Sequence, residues 1–138
     1  MVDFLILGLP RSRTAWLANF LTYDGLFCFH EATNGCSSIQ EYKEKVAGKG
    51  DANTGLGFFD IDKLFPDAKK IIVDSDVSRS IEFSKAAFNL NVVHEMRVLK
   101  NNLDKIDGLH IPLDEINDHL QEIWEYITDI PYDKERAD

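Results

Sequence analysis

The chain has 138 residues, 44% of them hydrophobic and 28% charged, which is enough for one packed core and too little for two. Its net charge of −9 excludes a general nucleic-acid binder, which needs a basic face, and no apolar stretch approaches the ~20 residues of a membrane helix. No basic segment precedes the short apolar run at 4–7, so no secretory leader is read, and the expectation is one cytoplasmic domain over 1–138 with neither nucleic-acid nor membrane partners.

Residues 3–8 read as a buried strand, a continuous apolar run ending in Gly8, and 13–22 as a helix with Leu17, Phe20 and Leu21 on one face. Between them lies G-L-P-R-S-R-T-A-W over 8–16, with two arginines and two hydroxyls where the helix begins. The first N–H groups of a helix lack intrahelical acceptors and carry partial positive charge, so arginines there point to a bound anion. Arg11 and Arg13 add charge-assisted contacts suited to a tetrahedral oxyanion. The ordinary phosphate loop, G-x-x-x-x-G-K-[ST], is matched at Gly8, but Arg13 stands for its second glycine and Thr14 for its lysine.

The aromatic run 26–29 reads as a second strand, ending at His30 and Glu31. Adjacent strand residues point to opposite faces, so only one of these two is expected to aim at the loop. Ser38 caps a helix over 39–47, and the glycine-rich stretch 48–55 reads as a mobile loop and the best place for a lid. Asp60 caps a short turn that Pro66 stops, and a strand over 70–73 ends in Asp74, Ser75 and Asp76. Helices follow over 78–88 and 92–106, then a short strand over 109–111. Pro112 opens a single helix over 113–128 that buries Ile116, Leu120, Ile123, Trp124 and Ile127.

The acids of 51–76 and 114–138 read mostly as solvated surface, and Trp16, Trp124 and Cys28 as core. Cys28 and Cys36 have no metal or disulfide spacing, His94, His110 and His119 have no ligand spacing, and no metal site is expected from them. Strands that alternate with helices give the fold class: α/β, a three-layer P-loop-like domain whose short parallel sheet is flanked by helices. Ligands of such sheets sit at the carboxyl ends of the strands, which gathers the 8–16 loop, His30–Glu31 and the segment 74–76 at one edge.

P-R-S-x-T-x-W over 10–16 resembles the phosphosulfate-binding loop of sulfotransferases, usually P-[RK]-S-G-T-[TS]-W, at five of seven positions, with Arg13 and Ala15 as the departures. Phe27 to Glu31 is similar to the family's short strand that ends in a catalytic glutamate, and Glu31 follows Arg11 by twenty residues. F-P-D-A-K over 65–69 is similar to the approach to the family's 3′-phosphate site, and the stretch from Ile111 to Pro131 to its late segment. The resemblance implies a transferase using 3′-phosphoadenosine 5′-phosphosulfate. Pro10, Arg11, Ser12, Arg13, Thr14 and Ala15 would hold the cofactor, Arg11 would also grip the transferred group, and Glu31 would deprotonate a hydroxyl acceptor. Ser84 falls on the family's 3′-phosphate serine, but this alignment puts Asp76 where an arginine belongs. Two other readings stand beside this one. A P-loop nucleotide or small-molecule kinase would hold Mg²⁺ on Asp74 or Asp76, and a non-catalytic module would bind an anion or nucleotide and do nothing more.

Overall fold

Strand β1, Phe4–Gly8, is buried at all five positions because it lies at the centre of the sheet with a helical layer on each face. The structure is a computed structural model that describes residues 2–10, 12–23, 25–88 and 92–134. The other strands are β2 (Cys28–His30), β3 (Gly50–Asn53), β4 (Lys69–Asp74) and β5 (Leu109–Pro112), in the order β2-β3-β1-β4-β5 and all parallel. The α/β class and the flanked parallel sheet are as the sequence predicts.

The pleat divides the core. Phe4 and Ile6 of β1 join a cluster on one face with Leu17, Phe20 and Leu21 of α1 (Thr14–Phe20), Leu113 and Ile116, and Ile123, Trp124 and Ile127 of α6 (Leu120–Ile127). Leu5 and Leu7 point the other way. They join Tyr42 of α2 (Ile39–Lys45), Ile61 of α3 (Ile61–Leu64), and Leu99 and Leu103 of α5 (Val93–Asp104). Val77 and Ile81 of α4 (Val77–Phe88) pack partly buried against this second cluster.

Two expectations are corrected. The stretch read as a mobile loop contains β3, an inner strand that pairs with β2 on one side and β1 on the other. Its glycine does not signal flexibility: a Cβ on Gly50 would overlap the ring of Phe4, its register partner, so the missing side chain is what lets that ring pack. The stretch read as one helix over 113–128 is a 3₁₀ segment, Leu113–His119, followed by α6. Asp114, Asn117 and Asp118 are weak formers of a helix interior, and the α-helix begins only at Leu120.

Candidate functional site

The loop after β1 lies at a topological switch point. The chain leaves β1 for α1 on one face, whereas β3 and β4 lead to helices on the other. Neighbouring loops therefore part at the carboxyl end of β1, where parallel sheets open their ligand crevices.

The loop is drawn tightly over the strand. A Cβ on Gly8 would lie 3.0 Å from Ser12 Cβ, a tighter contact than side chains ordinarily make, so the loop closes more readily over a glycine. Ser80 Oγ, from the first turn of α4, donates to the Pro10 carbonyl at 2.6 Å, and Ser12 Oγ lies 3.4 Å from Ser75 Oγ. Ser12 and Ser80 are both buried. Arg13 is the N-cap of α1 in a left-handed conformation, φ 61°, ψ 26°, a region that disfavours residues bearing a Cβ. Its Nη1 donates to Asn117 Oδ1 at 3.0 Å, and its guanidinium lies 4.3 Å from the centre of the Trp16 ring. Trp16, expected in the core, is instead 37% exposed: it stacks on Phe20 and carries Arg13 at the cleft. Arg11 lies outside the described residues.

A cleft of about 490 Å³ runs between this loop and the ends of β2 and β3, with Pro10 and residues 12–16 on one wall and His30, Glu31 and Thr54 on the other. Thr14 Oγ1 and His30 Nε2 meet across it at 3.2 Å. Both His30 and Glu31 reach the cleft, against the expectation that only one would. Strand alternation stops at His30, and Glu31 leaves it with φ 55°. This turns the carboxylate back, with Oε1 3.9 Å from His30 Nε2. Glu31 Oε1 accepts from both the backbone N–H and the hydroxyl of Thr54, each at 2.9 Å.

Beneath this wall is a polar network. Asp51, read as part of a solvated acidic surface, has no exposure at all. Its Oδ1 accepts from the Ala32 N–H at 3.1 Å, and its Oδ2 from Tyr42 Oη at 2.6 Å and Asn53 Nδ2 at 3.1 Å. Burial drives the Asp51 pKa up, and these three donors pull it only part of the way back. Burial, then the Asp51 charge, likewise raises the Tyr42 phenol and the Cys28 thiol. Asn53, also fully buried, donates to Thr33 Oγ1 at 3.1 Å and accepts from the N–H groups of Gly55 and Leu56 at 2.8 and 3.0 Å. Thr54, Asp51 and Asn53 went unrecognised because they fall in the stretch read as a loop; the alternation of Asp51 and Asn53 about Ala52 was the available signal.

On the other side of the loop, Asp74 Oδ1 lies 3.3 Å from His110 Nδ1, and His110 Nε2 lies 2.8 Å from the Ile106 carbonyl. Two acceptors on one ring require both N–H groups. Burial opposes that charge, but the Ile106 carbonyl and Asp74 outweigh it and lift the His110 pKa above the ordinary histidine value. Asp76 is exposed, and its Oδ1 accepts the Ser78 N–H at 3.0 Å, a cap at the start of α4 that also lowers the Asp76 pKa. Arg79 pairs with Asp114 at 3.7 Å. Ser84 is half-buried on α4, one turn beyond Ser80, and it is Ser80 that reaches the loop.

Among the described residues no group of three or more His, Cys, Asp or Glu side chains is arranged to hold a metal ion, and no helix is long and apolar enough to cross a membrane. No protein-family profile, curated protein or solved structure matches the chain.

Proposed function

We propose that this chain is a sulfotransferase-like transferase that seats a phosphosulfate or nucleotide phosphate on residues 8–16 and passes a group to a hydroxyl acceptor, with Glu31 as general base. The observation that carries the reading is the cleft at the switch point, where the hydroxyl- and arginine-bearing loop faces a carboxylate already fixed by Thr54. A bound phosphosulfate supplies an electrophilic sulfuryl group and a phosphate leaving group. Ser12, Arg13 and Thr14 suit its oxyanion end. Glu31 takes the acceptor's proton as the new oxygen–sulfur bond forms, and Arg13 balances the charge left on the departing phosphate. The position that the resemblance assigns to the 3′-phosphate cation is held by Asp76, a carboxylate that caps α4, which suits a 3′-phosphate poorly. The reading is therefore strongest for the 5′ end of the ligand.

The kinase reading has less support, because Asp74 is engaged by His110 and Asp76 caps α4. A binding-only module has no use for a carboxylate held beside its anion, where it opposes binding. Calorimetry on the full chain separates the three. Metal-independent binding of adenosine 3′,5′-bisphosphate, retained in Glu31→Gln and weakened in Arg13→Gly, is the expected result. Mg²⁺-dependent binding of ATP would overturn it in favour of the kinase. Equal, weak binding of inorganic phosphate, sulfate and the bisphosphate would overturn it in favour of the module.

A further inference from the structure

Glu31 is held in a conformation that a residue with a Cβ avoids, and such conformations persist only where the surroundings over-determine them. The restraints here converge. The Glu31 N–H donates to the Ala52 carbonyl at 2.9 Å, and its carbonyl accepts the Asn34 N–H at 3.0 Å. The next N–H, that of Ala32, goes to Asp51. Thr54, which clamps the Glu31 carboxylate, directly follows Asn53, and Asn53 is bonded to Asp51, to Thr33 and to the two N–H groups beyond Thr54. Asp51 bonds to both arms, to the Ala32 N–H on one side and to Asn53 on the other, and Tyr42 holds it from α2.

A buried carboxylate in an inner strand is expensive, and an apolar residue at 51 would serve packing better. We propose that Asp51 is the positioning residue of the Glu31 carboxylate: from inside the sheet it fixes the left-handed Glu31 corner through Ala32 and the Thr54 clamp through Asn53. Asp51 does not line the cleft, so it acts through Glu31 and not on a ligand. The inference rests on the reading of Glu31 as a general base, but the arrangement it describes is measurable without any ligand.

The test is Asp51→Asn in the full chain. This keeps one acceptor oxygen for Ala32 but sets an NH₂ group against that of Asn53, which loosens the Thr54 arm. Amide hydrogen exchange followed by NMR is expected to quicken at Thr54 by about tenfold or more, while amides in β1 and β4 change by less than about twofold. Exchange that quickens equally throughout would make Asp51 a purely structural residue and overturn the proposal, and so would an unchanged Thr54. If Asp51→Asn does not fold, Tyr42→Phe removes one of the bonds to the carboxylate and is held to the same criterion. Adenosine 3′,5′-bisphosphate affinity is expected to stay within about twofold of the parent, because Asp51 touches no ligand. A parent chain that fails to bind the bisphosphate refutes the transferase reading and leaves the exchange result to judge Asp51 alone.

Discussion

Arg13 offers a test in which backbone and side chain pull in opposite directions. At φ 61° a residue with a Cβ carries about 1–2 kcal/mol of strain, which glycine does not. Arg13→Gly releases that strain but loses the exposed hydrogen bond to Asn117, about 0.5–1 kcal/mol, and the guanidinium over Trp16, again about 0.5–1 kcal/mol at an exposed site. Glycine also widens the unfolded ensemble, at a cost of about 0.5–1 kcal/mol. The middle of these ranges places Arg13→Gly within about 1 kcal/mol of the parent, although two contacts are gone. Arg13→Ala loses the same contacts and keeps the strain, so it is expected to be less stable than the glycine variant by about 1 kcal/mol, the reverse of the usual order within a helix. Urea unfolding of the three chains at one pH, with unchanged m-values, gives the ranking. If alanine equals or exceeds glycine, the strain at position 13 does not exceed glycine's cost in the unfolded chain and the argument fails. Affinity for adenosine 3′,5′-bisphosphate is expected to fall about tenfold in both variants, because both remove the same cation.

Gly50→Ala drives a methyl group into the Phe4 ring at the centre of the sheet, and overpacking of this kind costs about 1–3 kcal/mol. A thermal melt is expected to show a clear drop in Tm that Phe4→Leu in the same chain partly restores, and an unchanged Tm would refute it. The His110 pKa lies above its unfolded value, so the stabilisation from its bonds to Asp74 and Ile106 is full below about pH 6.5 and is lost as pH rises through the folded value. The difference in urea midpoint between the parent and His110→Gln is therefore expected to be larger at pH 6 than at pH 9, and a constant difference would show that the ring titrates normally.

Apolar periodicity made β1, β4, α1 and the inner face of α6 legible, since each buries a patterned surface that the sequence displays directly. It could not reveal β3. Gly50, Asp51, Ala52 and Asn53 show no apolar run, and the segment becomes a strand because β1 and β2 offer it backbone partners on both sides. Its polar side chains are tolerated inside because Tyr42, Ala32 and Thr33 complete their hydrogen bonds, and those partners are distant in sequence. The site was half legible for the same reason. The loop announced itself by composition and Glu31 by its place at a strand end, but Thr54 depends on where β3 delivers it. Trp16 was misread because an aromatic at the start of a helix gives no sign of whether a cation will cover it.

The position of β1 has a consequence for how the chain reaches its fold. Its two neighbours, β3 and β4, come from residues 50–53 and 69–74, so the most apolar segment stays unpaired until half the sequence can close around it. Every pairing in the sheet is parallel and needs a long crossover, which slows assembly and prolongs that exposure. Until then the run Phe4-Leu5-Ile6-Leu7 is an uncharged, β-prone segment of the kind that nucleates intermolecular stacking. Refolding yield should accordingly depend on protein concentration far more steeply than equilibrium stability does, with this strand as the point of failure.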